Sequence, residues 1–149
     1  MALDQLIIYS ETAEIDEVQV EKLTKAFLQY EPFDLTDAIV RGDISKALQI
    51  FHYFAELSDD LTQITGLIHW QLKRIWQTKK ILSRGGRESE VAKAVRIPPF
   101  RMSQFIRQIE RFEIKRIEEL LRLLWQFDWD AKKGAVDHET AMEVFLARV

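Results

Sequence analysis

The clearest hydrophobic pattern lies in residues 60–82, where apolar side chains recur at the spacing of one face of an α-helix. Steps of three, four and seven residues separate Leu61, Ile64, Ile68, Leu72, Ile75 and Leu82. Further apolar side chains widen this face at Leu67, Trp70, Trp76 and Ile81. A helix with so wide an apolar face is usually packed by neighbours on several sides. We therefore predict a central helix about 33 Å long, capped by Asp59 or Asp60 and ended by Gly85 and Gly86.

Helical periodicity predicts other helices along the chain, and no stretch has the alternating pattern of a strand. Their approximate ranges are 2–9, 16–24, 34–41, 44–57, 88–95, 100–112, 113–133 and 138–149. Pro32 disfavours helical backbone at Glu31, so residues 29–32 form the predicted loop and domain boundary. Pro98 and Pro99 are predicted to interrupt the helical pattern. In the last helix, capped by Asp137, the predicted core side consists of Ala141, Val144, Phe145 and Val149.

The composition is that of one ordinary folded domain, or of one domain with a fragment of another. The chain has 149 residues, of which 47% are hydrophobic, and it has no cysteine. Disulfides, thiolate metal sites and a cysteine nucleophile are thereby excluded, and the lack of cysteine fits a cytoplasmic protein. No apolar run approaches the roughly 20 residues of a membrane span. The first residues, Met1 to Asp4, lack the basic start of a secretory signal.

The net charge of −3 hides an uneven distribution along the chain. Residues 1–66 have 4 basic and 13 acidic side chains (net −9), whereas residues 67–122 have 14 basic and 6 acidic ones (net +8). Residues 123–149 carry a net charge of −2. Two interpretations of the basic section stay open. It contacts nucleic acid or an acidic partner, or it is a solvated surface balanced by the acidic section.

Motifs that would support catalysis or cofactor binding are absent from the sequence. His52, His69 and His138 lack the spacing of metal ligands, and each is predicted to be a partly exposed surface residue. There is no phosphate-binding G-x-x-x-x-G-K-[ST] motif and no G-x-S-x-G nucleophile motif. Neighbouring carboxylates are pairs in sequence only, at Asp59–Asp60 and Asp128/Asp130. We therefore predict a protein that is not an enzyme and that needs no cofactor or metal.

The segment from Glu88 to Arg111 has the pattern of a helix-turn-helix, with a short helix, a turn near Ile97 and Pro98, and a second helix. The polar positions that would face DNA or a partner are Arg101, Gln104, Arg107, Gln108 and Arg111. Two packed helices of any bundle give a similar pattern, and bundle packing is the simpler interpretation. A stand-alone helical regulator that binds duplex DNA through residues 88–111 is the alternative function.

Trp125 and Trp129 are further candidates for contacts with a partner. They lie four residues apart, so their side chains stack along one face of the predicted helix 113–133. Packing in the core or at an interface is the simpler explanation for the pair. Base stacking would require both indoles to be exposed beside a basic groove.

An ordered series of short segments resembles one known family. The segments are Ile15–Val18, Phe33–Ile39, Gly42–Asp43, Lys46–Leu48, Gln71–Arg74, Lys79, Glu90–Ala92, Ile97–Arg101 and Leu124–Gly134. Taken together, they resemble the C-terminal part of the delta subunit of bacterial DNA polymerase III, a member of the clamp loader. The resemblance covers nearly the whole chain, and the order of the segments carries it rather than any single motif.

The resemblance implies an all-α helical bundle of the clamp-loader collar type at residues 29–149. Residues 1–28 would be the end of a small helical lid domain. The implied partners are the ATPase subunits (gamma or tau) and delta-prime, joined through the collar, with DNA contacted indirectly if at all. In this family a preceding AAA+-like domain binds the sliding clamp, so the present chain is not expected to open it. The family's delta subunit lacks a working ATPase site, which fits the missing phosphate loop.

Overall fold

The computed structural model describes residues 29–149, and within them the secondary structure consists of helices without strands. The seven helices are α1 (Pro32–Arg41), α2 (Ile44–Leu57), α3 (Leu61–Ser83), α4 (Glu88–Val95), α5 (Pro99–Ile109), α6 (Ile114–Lys132) and α7 (His138–Arg148). The predicted all-α fold is therefore confirmed. The two helices predicted at 2–9 and 16–24, and the predicted lid remnant at residues 1–28, lie outside the described residues.

Helix α3 is the centre of the domain, as its wide apolar face predicted. It packs against α1, α2, α4, α6 and α7. The apolar residues in the middle of the predicted face are buried at Ile64, Ile68, Leu72 and Ile75. Leu61 and Leu82, at the two ends of α3, are partly buried against the same core. The arrangement stabilises the fold because one long helix supplies apolar surface to five neighbours.

Polar caps and glycines set the ends of the helices at the predicted places. The carboxylate of Asp60, rather than that of Asp59, accepts the Thr62 N–H at 2.9 Å and begins α3. Asp137 accepts the Thr140 N–H at 2.9 Å and begins α7. After α3, Gly85 takes a left-handed φ of +80°, which glycine adopts without the penalty of a Cβ atom.

Four sequence predictions differ from the structure in detail. Helix α1 begins at Pro32 instead of 34, because proline suits the first helical position, and Asp34 accepts the Glu31 N–H at 2.7 Å. Pro99 likewise begins α5, so the proline pair starts a helix in addition to breaking one. Helix α5 ends at Ile109 instead of 112, although Phe112 is still buried. The prediction that Val144 packs in the core is wrong, since its side chain is 36% exposed.

Arg116 at the start of α6 joins three segments that are distant in sequence. Its guanidinium donates to the carbonyl oxygens of Ile39 and Val40, at 3.4 Å and 3.3 Å, and to that of Val149 at 3.2 Å. The first two carbonyls belong to the last turn of α1, where the Ile39 carbonyl also accepts the Gly42 N–H at 3.1 Å. One side chain thus ties the end of α1 and residue 149 to α6.

Candidate interaction surfaces

Helix α5 presents the polar residues that the sequence singled out. It buries Met102, Phe105 and Ile109, and the opposite side of the helix faces outward. The exposed positions among the predicted contacts are Gln104, Arg107 and Gln108 on α5, and Arg111 just after it. Arg101 differs from the prediction, because it is half-buried. Gln104, Arg107 and Gln108 therefore lie together on the outward side of α5, and Arg111 follows them in the turn after the helix.

Trp125 and Trp129 form a stacked pair on the outside of α6. Their ring centroids are 6.1 Å apart, with an interplanar angle of 9°, and the two side chains are 61% and 52% exposed. The buried line of α6 consists instead of Ile117, Leu120, Leu124 and Ala131. Core packing is therefore the wrong explanation for the pair, and the exposure of both rings leaves contact with a partner or with bases as a prediction.

Helices α3 and α6 run side by side in opposite directions next to this pair. Near the start of α6, Glu118 accepts the Trp76 indole N–H at 3.0 Å and pairs with Lys80 at 3.4 Å. These contacts lower the pKa of Glu118, with the Trp76 hydrogen bond as the largest cause. Near the end of α6, Asp128 and Lys132 act electrostatically on His69 of α3. Side chains of α3 therefore meet side chains near both ends of α6, the helix that carries the two indoles.

Arg74 is a buried cation that sequence reasoning missed. Its guanidinium carbon lies 4.0 Å from the centroid of the Trp70 ring and 5.7 Å from that of Phe105. The side chain is only 8% exposed, and its Nε has no hydrogen-bond partner. Burial lowers the pKa of Arg74 to about 10, so the group stays charged at neutral pH. The four-residue spacing of Trp70 and Arg74 could have predicted this contact, because residues four apart are neighbours on one face of a helix.

An apolar groove of about 560 Å³ lies where α3 and α5 end and α6 begins. Its apolar lining includes Leu82, Ile106, Ile109, Phe112 and Ile114. At its edge, the Lys79 ammonium donates to the Glu110 carbonyl oxygen at 3.0 Å. Burial lowers the pKa of Lys79. The polar lining of the groove consists of Lys79, Ser83, Glu110, Glu113 and Lys115. Sequence spacing did not predict this groove.

The histidines occupy separate parts of the surface. His52 pairs with Glu143 across α2 and α7 at 2.9 Å. His69 is partly exposed on α3, and His138 is half-buried at the start of α7. Within residues 29–149, no three or more His, Asp or Glu side chains group closely enough to hold a metal ion. The same residues contain no helix that is both long and apolar enough to span a membrane.

Comparison with known proteins gives one consistent result. Residues 29–149 match the family model described as "DNA polymerase III delta subunit, C-terminal domain". The DNA polymerase III subunit delta of Bacillus subtilis (strain 168) is 26% identical over 130 residues, which are 87% of this chain and 38% of that protein. Among solved structures, the Bacillus subtilis DNA clamp loader delta protein matches with a TM-score of 0.68 and 26% identity. That match covers 78% of this chain and 34% of the solved one.

The matched relatives are longer than this chain, which spans little more than a third of their length. The sequence resemblance stated above is confirmed by the family model, the relative and the solved structure alike. Because the family model covers most of the residues, this chain belongs to the DNA polymerase III delta subunit family through its C-terminal domain, and it is a non-catalytic polypeptide.

Proposed function

We propose that residues 29–149 form the collar domain through which a clamp-loader delta subunit joins its ring. The partners are the ATPase subunits (gamma or tau) and delta-prime, and the assembly works in the cytoplasm during DNA replication. Residues 1–28 are proposed to be the end of the lid domain. Contact with the sliding clamp is assigned to a part of the delta subunit that precedes this chain.

The observation that carries this proposal is the exposure of the stacked Trp125 and Trp129 rings. Tryptophan is enriched among the residues that dominate binding energy at protein interfaces. Here the pair lies on a helix whose opposite side is fixed in the core by residues such as Leu120 and Leu124, both 1% exposed. Two large aromatic side chains held outward on a rigid helix are therefore suited to bind a partner protein.

The outward side of α5 supports a second, weaker contact with DNA. Gln104, Arg107 and Gln108 are exposed together, and arginine supplies the charge that phosphate groups require. We assign this side of α5 to the vicinity of primer-template DNA, or to an acidic partner surface, within the assembled loader. The rival proposal is a stand-alone regulator that uses residues 88–111. The comparisons do not support it, because the matched relatives are named as polymerase III or clamp-loader delta proteins.

Size-exclusion chromatography with light scattering tests the assembly directly. The chain is mixed with the collar domains of the cognate ATPase subunit and delta-prime, and a stable mixed complex is the expected result. Failure of every mixture to form a complex would contradict the collar function. Tight, salt-sensitive duplex binding by the chain alone would then favour the stand-alone regulator, because phosphate-dominated binding falls steeply with salt.

Charge reversal on α5 tests the second contact. Arg107→Glu together with Arg111→Glu should weaken retention of primer-template DNA by the assembled loader, because like charges then face the phosphates. Lys46→Glu, an exposed reversal on α2, is the matched control. If both the DNA retention and the ring assembly of the Arg107/Arg111 variant equal those of the unchanged chain, this side of α5 has no such role.

A further inference from the structure

The apolar groove between the ends of α3 and α5 and the start of α6 is not filled by residues 29–149. Leu82, Ile106 and Ile114 line it and are only partly buried. Its volume of about 560 Å³ lies in the range of clefts that hold a ligand or several side chains. Because apolar surface of this kind is stabilised when another apolar group covers it, the groove is a candidate docking site.

The described part of the chain begins beside this groove. Phe33, at the start of α1, stacks on Phe112 with ring centroids 6.3 Å apart and an interplanar angle of 15°, and Phe112 lines the groove. The Tyr30 ring packs edge-on against that of Tyr53 on α2, at 5.1 Å. These two contacts fix the entry of the chain on the domain. Residue 28 lies five residues before Phe33, and five extended residues span at most about 18 Å, so the preceding segment can reach the groove.

The sequence before residue 29 carries apolar side chains in a suitable pattern. Val20, Leu23 and Phe27 are separated by steps of three and four residues, the spacing of one helix face. They lie within and just after the helix that the sequence predicts at 16–24, which is outside the described residues. An amphipathic segment of this kind is stabilised when its apolar face packs against another apolar surface.

Opposite net charges also favour contact between this segment and the groove. Residues 1–28 have two basic and six acidic side chains (net −4). The segments that flank the groove, 79–84 and 106–116, have seven basic and two acidic ones (net +5), the acidic ones being Glu110 and Glu113. The attraction draws the acidic segment to this end of the bundle, whereas the apolar lining holds it there.

We propose that residues 16–28 of the same chain dock in this groove. Val20, Leu23 and Phe27 cover its apolar lining. The contact fixes the direction in which the chain enters the domain, and it therefore sets how the part of a delta subunit that precedes the domain is held. It lies within one chain, so it is independent of the partners proposed for the collar.

Engineered disulfides test this docking in the full chain, which has no cysteine of its own. Ser83→Cys puts a thiol at the groove, since Ser83 lines it and is exposed. It is combined in turn with Val20→Cys, Leu23→Cys and Phe27→Cys. The matched control pairs the same three substitutions with Glu139→Cys, an exposed position beyond the other end of α6. Mild oxidation at low protein concentration is followed on non-reducing gels, and circular dichroism establishes that each variant is folded.

We expect at least one Ser83→Cys pair to close within one chain at least tenfold faster than its Glu139→Cys control. If no pair oxidises faster than its control, the proposal is wrong. A disulfide that joins two molecules instead would assign the groove to a second copy of the chain, and it would also overturn the proposal.

Binding of the apolar dye 8-anilinonaphthalene-1-sulfonate provides a second measurement. Leu23→Ser with Phe27→Ser should uncover the groove and raise the dye fluorescence at least threefold, because the dye binds exposed apolar surface. Adding Ile106→Gln to the same protein should remove at least half of that increase, since Ile106 lines the groove. Dye fluorescence equal to that of the unchanged chain would contradict the docking.

Discussion

The guanidinium of Arg74 lies 4.0 Å above the ring of Trp70, one turn earlier on α3, in a position where only 8% of the arginine is exposed. The aromatic face supplies the attraction that a carboxylate usually gives to a buried cation. The ring centroid of Phe105 on α5 lies 5.7 Å from the same guanidinium carbon. Arg74 therefore links the central helix to α5 through aromatic contacts.

Two substitutions of Arg74 should separate the contribution of its packing to stability from the contribution of its charge. Arg74→Ala should lower the free energy of unfolding by about 2 kcal/mol or more, because the buried stem leaves a cavity. Arg74→Met keeps much of the volume without a buried charge, so its cost should stay below about 1 kcal/mol. Urea denaturation of both variants measures the difference. A larger loss for Arg74→Met than for Arg74→Ala would show that the charge, rather than the packing, stabilises this contact.

Gly66 in the middle of α3 should be replaceable with a gain in stability. No atom lies within 4 Å of a Cβ built at this glycine, and alanine loses less backbone entropy in a helix. Gly66→Ala should therefore raise the free energy of unfolding by about 0.5–1 kcal/mol. Gly85→Ala is the matched control, since it has equal space but a φ of +80°, and it should destabilise the fold. Equal effects of the two substitutions would contradict this explanation.

His69 should make the stability of the domain fall at acidic pH. Partial burial, then the charge of Lys73, lower the pKa of His69 below its ordinary 6.5, with Asp128 opposing and Lys132 adding to the shift. The unfolded chain therefore binds the proton more readily, so stability is full above about pH 6.5 and falls as the pH drops below it. His69→Gln should flatten this slope. Urea midpoints between pH 7.5 and pH 5 measure it, and a parallel slope in the variant would contradict the assignment.

Lys73→Met provides an independent check on the same histidine. Removal of the neighbouring positive charge should move the pKa of His69 back toward 6.5, because less repulsion then opposes the imidazolium. A proton NMR titration of the ring hydrogens follows this shift residue by residue. An unchanged midpoint would leave burial as the whole cause.

Arg116 should be the side chain whose loss most loosens the junction of α1, α6 and residue 149. Arg116→Ala removes the donor shared by the carbonyls of Ile39, Val40 and Val149. We expect a loss of about 1–2 kcal/mol, since partly buried acceptors then depend on water. Arg116→Lys keeps the charge but not the planar fork, so it should recover only part of the loss. Full recovery in the lysine variant would show that charge alone matters there.

The helical spacing of apolar residues was enough to locate every helix between residues 32 and 148. Local signals are strong there, because Asp60 and Asp137 cap helices by contacts two or three residues away. Shifts of one to three residues occurred at prolines and at the end of α5. At those points, local preference permits several boundaries and tertiary packing selects one, as the burial of Phe112 after the end of α5 illustrates.

The sequence by itself determined the helical class, the central role of α3 and, through the ordered resemblance, the family to which the chain belongs. Only the tertiary structure decided which faces are exposed, because exposure depends on neighbours that are distant in sequence. It showed that Trp125 and Trp129 are exposed, where the sequence had left core and interface packing both open, and it half-buried Arg101 in place of exposing it. It also enclosed Arg74 between the rings of Trp70 and Phe105. Helical periodicity shows on which face a side chain lies but not which other helix that face contacts.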